Sequence, residues 1–275
     1  MNRLSLVDRA KIVGCLVEGM SMRATTRLVD VSINTVTKLL VDLGTACAIY
    51  QNEVMRNLPC KRIQVDEIWA FCYSKQKNTP PNIRDLGRGD VYTWIAIDAD
   101  TMLVPSWLVG TRDAWYANEF IKDLASRLVN RVQLTSDGHK AYLRAVEKAF
   151  GSEVDYSMLV KLYGAPEGNQ QERRYSAGQC CGTITGTVCG NPDTKHVSTS
   201  FVERQNLSVR MGNRRFTRLT NGFSKKVENH EHALAIYYMH YNFGRIHKSL
   251  RVTPAMEAGV SDHVWSLEEI AKLAD

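Results

Sequence analysis

The chain has 275 residues, which is enough for one large domain or for a moderate domain with a small one. Its hydrophobic content of 44% and charged content of 23% are typical of a soluble globular protein, and no apolar run approaches the roughly 18 residues of a membrane helix. The 35 Lys and Arg residues outnumber the 29 Asp and Glu residues, and the net charge of +6 is compatible with a nucleic-acid partner without establishing one.

We do not expect the N-terminal stretch MNRLSLVDRAKIVGCLVEGM to be a signal peptide, because charged side chains interrupt its apolar residues. We therefore expect a cytoplasmic protein. In that compartment the seven cysteines stay reduced.

Residues 1–45 predict three short helices, which we expect to form a helix-turn-helix domain. The first helix ends at Gly19, and Ser21 caps the start of the second. Ser32 caps the third, for which Gly44 is the predicted end. A tight turn between the second and third helices is the spacing of a helix-turn-helix.

The third helix begins with short polar side chains, at Asn34, Thr35 and Lys38. In a helix-turn-helix these first turns face the edges of the bases, so we expect this trio to contact DNA. The alternative is a plain three-helix bundle whose polar face is merely solvated.

After a linker helix at residues 46–60, the hydrophobic period changes from that of a helix to that of a strand. RIQVDEIWAFCYS alternates and is rich in β-branched and aromatic residues, and VYTWIAIDAD and MLVPSWLVG predict two further strands. A helix, a strand, a helix and a strand follow. This order predicts an α/β domain at residues 61–243, with an RNase H-like mixed sheet flanked by helices. Residues 244–275 are expected to be a C-terminal tail.

A Gly-rich stretch at residues 163–198 predicts a long loop inserted into this domain. Cys180, Cys181, Cys189 and His196 lie close together in it, which raises the possibility of a zinc site. Because no C-x-x-C pair occurs and adjacent cysteines chelate one ion poorly, we favour cysteines that bind no metal.

Three acids stand at positions that suggest catalysis. Asp66 lies within the first strand, Asp137 ends the fourth, and Glu203 lies on a later helix as the one acid between Lys195 and Lys226. If the first and fourth strands are neighbours, Asp66 and Asp137 come together and Glu203 can close over them.

Each acid also has a simpler interpretation. Asp66 could pair with Lys61 or Arg62, Asp137 could be a turn residue before Gly138, and Glu203 could pair with Arg204. Asp98 and Asp100 fit a hairpin turn, and we leave them out of the site. Strand alternation sends Asp66 and Glu67 to opposite faces, so we expect only one of these two to serve it.

Clustered carboxylates repel one another unless cations lie between them, and carboxylates prefer hard ions such as Mg²⁺ or Mn²⁺. Two such ions, roughly 3.5–4 Å apart, stabilise the attacking and leaving oxygens of a phosphodiester displacement.

Arginines flank Glu203. Arg210 lies two turns further along the same helix face, where it can hold a phosphate, and Arg204, Arg214 and Arg215 lie on neighbouring faces.

Four segments together resemble the DDE transposases of bacterial insertion sequences, with the nearest likeness to the insertion-sequence-one type. They are VDEIW, TSDGHKAY, TSFVERQN with Arg210 seven residues after its glutamate, and YNFGRIHKSLRVTPAM. The resemblance covers nearly the whole chain. It implies an RNase H-like core and Mg²⁺-dependent cutting and joining of DNA ends.

Carried over residue by residue, the resemblance makes Asp66, Asp137 and Glu203 the catalytic and metal-binding acids, and Arg210 the basic residue after the glutamate. His247 falls in the last segment, where it would have a structural role or contact DNA. Many relatives of this type carry an N-terminal zinc ribbon, which this chain lacks. The predicted helix-turn-helix alone is then left to recognise the ends of the element.

The sequence therefore predicts a transposase that binds insertion-sequence ends and target as double-stranded DNA, with two Mg²⁺ or Mn²⁺ ions. We expect it in the bacterial cytoplasm at the nucleoid, as a dimer or larger oligomer, because two ends must be paired. A DNA-binding regulator on an inactive core, and a metal-dependent nuclease without strand joining, are the alternatives.

Overall fold

The computed structural model of the chain describes residues 4–164 and 180–275. Its helices, in chain order, are α1 (Leu6–Val17), α2 (Met22–Val29), α3 (Ile33–Val54), α4 (Ala114–Arg127), α5 (Ala141–Phe150), α6 (Ser200–Gly212), α7 (Val227–Met239), α8 (Pro254–Glu257) and α9 (Leu267–Lys272). Its strands are β1 (Arg62–Cys72), β2 (Gly89–Asp98), β3 (Ser106–Gly110), β4 (Val132–Ser136), β5 (Val154–Tyr163) and β6 (Cys180–Cys189). Within the described residues, none of the helices is both long enough and apolar enough to span a membrane.

The strands form one mixed sheet in the order β3-β2-β1-β4-β5-β6. The first three strands pair antiparallel, β4 and β5 run parallel to β1, and β6 returns antiparallel to β5. This arrangement confirms the predicted mixed α/β fold. It also makes β1 and β4 direct neighbours, as the proposed meeting of Asp66 and Asp137 requires.

Two apolar layers cover the sheet, and β1 contributes to both because its side chains alternate between the faces. Val65 lies in the larger layer, which includes residues of α1, α3, α4 and α5. Ile68 lies on the other face with Val202 and Val209 of α6. Helix α6 is therefore anchored directly over the central strand.

Helices α2 and α3 begin where the sequence predicts. The hydroxyl oxygens of Ser21 and Ser32 accept hydrogen bonds from the first turns of α2 and α3. The predicted end at Gly44 is wrong, because α3 continues to Val54 through part of the expected linker helix. Gly44 instead allows α3 to cross α7 closely, since a Cβ atom on this residue would lie 2.4 Å from Cβ of His232.

The segment predicted as a Gly-rich loop contains strand β6, which pairs with β5 along most of its length. The prediction missed this strand because CCGTITGTVC has few large apolar residues, and Gly182 and Gly186 weaken the alternation of its threonines with Ile184 and Val188. Cys181 and Cys189 lie near opposite ends of the strand, roughly 26 Å apart at the usual rise per residue. These two cysteines cannot bind one zinc ion. Residues 165–179 of the predicted insertion lie outside the described residues.

Candidate active site

The site forms where two parallel strands separate. Val65 of β1 and Ser136 of β4 are the last residues paired between them. Asp66 and Asp137 follow directly on each strand. Because β4 ends at this point while β1 continues, the edge of β1 beyond Val65 is no longer covered by β4.

Asp66, Glu67 and Asp137 each place one carboxylate oxygen within 4.8 Å of the other two. The expectation that strand alternation keeps Asp66 and Glu67 at separate sites is therefore wrong in position. Strand alternation does send them to opposite faces, but both side chains reach Asp137 around the uncovered edge of β1. Sequence alone does not reveal this, because it depends on where β4 ends relative to β1.

The cluster is electrostatically unfavourable without a cation. Burial raises the pKa of Asp66 to about 7, and the nearby charges of Glu67, Asp137 and Glu203 act in the same direction. Burial also raises the pKa of Glu67 to about 7, with a further contribution from Asp137. The pKa of each carboxyl is raised because its charged form is destabilised.

The donor set fits a divalent ion. All three groups offer carboxylate oxygen, the donor that Mg²⁺ and Mn²⁺ prefer. Oε1 of Glu67 is buried without a well-formed hydrogen bond among the described residues, although the Tyr142 hydroxyl is close enough to influence its pKa. Asp66 and Asp137 remain only partly buried, so an ion could reach them from solvent.

Arg112 is a residue of the site that the sequence analysis missed. Its Nε donates to Oε2 of Glu67 at 3.1 Å, and its Nη2 lies 3.6 Å from Oδ2 of Asp137. Arg112 stands between β3 and α4 and belongs to none of the motifs, so only the fold reveals its position. Its guanidinium partly offsets the negative charge of the cluster.

Asp66 is oriented by two hydrogen bonds. The side-chain amide of Asn206 on α6 donates to Oδ2 at 2.7 Å, and the backbone N–H of Glu67 donates to Oδ1 at 2.8 Å. Arg62, considered above as a partner for Asp66, instead pairs with Asp100. Asp98 accepts from Thr101, so the assignment of both acids to the hairpin turn is confirmed.

Glu203 lies on α6 one turn before Asn206, but it is not part of the three-acid cluster. Both of its carboxylate oxygens accept from Nζ of Lys161 on β5, at 2.5 Å for Oε1. The Thr199 hydroxyl also donates to Oε1, at 2.6 Å. The ion pair considered from sequence therefore exists, but its partner is Lys161 of β5 rather than Arg204 or a neighbouring arginine.

Among the arginines around Glu203, Arg210 lies close enough to the cluster for the charge of Asp66 to influence its pKa. Burial and Arg218 lower its pKa, while the charge of Asp66 acts in the opposite direction. In the described part of the chain its guanidinium makes no hydrogen bond, which leaves it available for a ligand. Arg204 is exposed on a different face of α6.

Arg214 and Arg215 lie further away, beside the N-terminal helices. Arg215 donates to the Ser224 hydroxyl at 3.1 Å and contacts the Met22 sulfur at 3.5 Å, and burial lowers its pKa to about 10. Arg214 lines a cleft of about 780 Å³ together with Arg23 of α2. Arg214 is thus the more accessible of the pair to a polyanion.

The side chains predicted to contact bases lie at the start of α3. Asn34 and Lys38 are exposed, and Lys38 pairs with Asp42 one turn later. The hydroxyl of Thr35 is bonded to that of Ser32 at 2.8 Å, so it is partly used in capping the helix. Their role in DNA binding stays a prediction.

No protein-family model matches the chain, and no curated protein matches it. Among solved structures, it is similar to a piggyBac transposase synaptic complex with hairpin DNA, at a TM-score of 0.45 and 9% identity over 98% of this chain and 70% of that one. It is also similar to a Mos1 transposase paired-end complex with the left transposon end (TM-score 0.22, 14% identity, 54% of this chain and 58% of that one). The Mos1 strand transfer complex gives a TM-score of 0.25 at 12% identity, over 86% of this chain and 78% of that one. Similarity at this level does not establish a function, so we base the function on the site itself.

Proposed function

We propose that this chain is a DNA transposase of the insertion-sequence type. It would hydrolyse a phosphodiester at the end of a mobile element, and the freed 3′-hydroxyl would then attack target DNA. The observation that carries the proposal is the junction of β1 and β4, which sets Asp66 beside Asp137 among other carboxylates. The motifs that resemble such transposases contain these two acids and Glu203.

In this proposal, Asp66, Asp137 and Glu203 hold one or two Mg²⁺ or Mn²⁺ ions. Such ions, when bound, polarise the phosphodiester and lower the pKa of water. The protein's own contribution is orientation and charge. Asn206 fixes one oxygen of Asp66, and Arg210 supplies a positive charge next to the cluster for the phosphate.

Glu203 can join the cluster if its carboxylate exchanges the ammonium of Lys161 for a metal ion. Two observations support it as the third acid. Its charge contributes to the raised pKa of Asp66, and the same helix already contacts Asp66 through Asn206. Glu67 is the competing candidate, but its side chain is only 1% exposed and is held by Arg112.

The N-terminal helices would bind the ends of the element through Asn34, Thr35 and Lys38. Because Arg23 and Arg214 line the same cleft, positive charge continues from these helices toward α6. Strand transfer requires two ends to be held together, and we therefore propose a dimer or larger oligomer on DNA.

The test is cleavage and joining of labelled end DNA in Mg²⁺ or Mn²⁺ by the full chain and by Glu203→Gln. The matched control is Glu147→Gln, because Glu147 is an exposed acid on α5 outside the site. Wild type and the control should cleave and join the DNA, and Glu203→Gln should do neither. Cleavage without joined product would favour a nuclease, and end binding without cleavage in any of the three proteins would contradict an enzyme.

A further inference from the structure

A groove of about 650 Å³ lies beside α6, away from the acids. We name it the basic groove and define it by Phe201, Arg204, Arg245, Ile246, His247 and Lys248. Its positive residues come from two distant parts of the sequence, α6 and the loop that follows α7. Among the described residues that line it, none is acidic.

Helical geometry places this groove opposite the candidate active site. Glu203, Asn206 and Arg210 share one side of α6, which is the side that faces Asp66. Phe201 and Arg204 share the other side, which lines the groove. The two sites are therefore separated by the width of one helix, about 10 Å.

The charges of the groove are available to a ligand. Arg204, Arg245 and Lys248 are exposed, and none of them forms an ion pair within residues 4–164 and 180–275. Three unpaired cations around one concave surface attract a polyanion and release its counterions when it binds.

The groove also offers apolar surfaces for flat ligands. The side chains of Phe201 on α6 and of Ile246 in the loop after α7 stay 40% and 56% exposed. His247 is held in place by two hydrogen bonds, from its backbone N–H to Val252 O and between Nδ1 and the Ser249 hydroxyl, both 2.9 Å. Exposed rings between cations are the features that bind unpaired bases and their phosphates.

We propose that the basic groove binds single-stranded DNA flanking the phosphodiester that is cut. Arg204, Arg245 and Lys248 would contact phosphates, and Phe201 would stack on a base. Duplex DNA fits less well, because its bases are already stacked on one another and cannot cover Phe201. The inference that the bound strand flanks the cut rests on the proposed function. The inference that the groove prefers single-stranded DNA does not rest on it.

The first test measures binding of fluorescent oligothymidylate, about 12 nucleotides long, to the full chain in EDTA. Arg204→Ala/Lys248→Ala should weaken binding at least about 10-fold and reduce the slope of log K against log salt by about 1.4, for two lost phosphate contacts. The matched control is Arg144→Ala/Lys148→Ala, which removes two exposed cations of α5 and should bind like wild type. Equal losses in both double variants would overturn the assignment to this groove.

The second test isolates stacking. Phe201→Leu keeps an apolar side chain but removes the ring, and it should weaken oligothymidylate binding about 5-fold or more. An abasic oligonucleotide of the same length should bind Phe201→Leu and wild type equally. Unchanged oligothymidylate affinity in Phe201→Leu, an equal loss of duplex affinity in this variant, or equal affinity of wild type for an acidic peptide would overturn the proposal. Because EDTA prevents metal-dependent cleavage, failure of the chain to cut DNA would contradict the proposed function without altering these results.

Discussion

Asp66 and Asp137 each stand one residue beyond Val65 and Ser136, the last pair that joins β1 to β4. Their closeness is therefore a consequence of strand register. A shift of β4 by one residue would turn Asp137 away from Asp66, because successive side chains on a strand point to opposite faces. The buried apolar side chains on both faces of β1 oppose such a shift and hold the two acids together.

The raised pKa of Asp66 predicts a specific pH dependence of stability. Its carboxyl has a pKa of about 7 in the folded chain, against an ordinary value of 3.8 for an aspartate in water. In EDTA, the folded state therefore binds more protons than the unfolded state between about pH 4 and 7, and the unfolding free energy falls as pH rises through this window.

Asp66→Asn removes the free-energy cost of ionising this buried carboxyl. In EDTA it should be more stable than wild type at pH 8, and its advantage should shrink by about 2 kcal/mol on going to pH 5. Chemical denaturation at the two pH values measures the difference, with Glu147→Gln as the control for an exposed acid. An advantage that is the same at both pH values would show that Asp66 ionises normally.

Gly44 tests the packing of the N-terminal helices on the rest of the chain. Gly44→Ala places a Cβ atom 2.4 Å from Cβ of His232, so α3 and α7 must move apart, and we expect a loss of about 1–3 kcal/mol in unfolding free energy. Gly186→Ala is the control, since a Cβ atom there meets nothing within 4 Å. If Gly44→Ala unfolded like the control, α3 would not cross α7 as closely as described.

The role of Glu203 can be tested through its ion-pair partner. If Glu203 binds metal, Lys161→Met should strengthen Mn²⁺ binding about 2- to 5-fold, because the cation no longer has to displace an ammonium group. The same substitution in a Glu203→Gln background should have no effect. Lys122→Met, on the exposed side of α4, serves as the control. Unchanged Mn²⁺ affinity in Lys161→Met would remove Glu203 from the metal site.

Much of this site could be predicted from local pattern. Alternation in RIQVDEIWAFC places Asp66 on a strand, and the Asp137-Gly138 turn marks the end of another. The capping serines Ser21 and Ser32 mark helix starts because they satisfy N–H groups within the same turn. These features depend on neighbours in the chain, so the sequence contains the necessary information.

The remaining features depend on contacts between distant segments. Glu67 joins the cluster only because β4 ends before β1. Arg112 reaches the cluster from the loop after β3, and Lys161 of β5 pairs with Glu203. Glycine commonly ends a helix, so the sequence predicts an end at Gly44. The structure instead requires a residue without a Cβ atom here, because α3 crosses α7 closely at His232. None of these relationships has a local pattern from which it could be predicted.

The central claim is that Asp66 and Asp137 bind a divalent metal together. Titration of Mn²⁺, with the free ion followed by electron paramagnetic resonance, measures this directly for wild type, Asp66→Asn, Asp137→Asn and the control Glu147→Gln. We predict that wild type and the control bind Mn²⁺ alike, and that each aspartate variant binds it more than about 10-fold more weakly. Mn²⁺ binding by Asp66→Asn and Asp137→Asn that matches wild type would contradict the account.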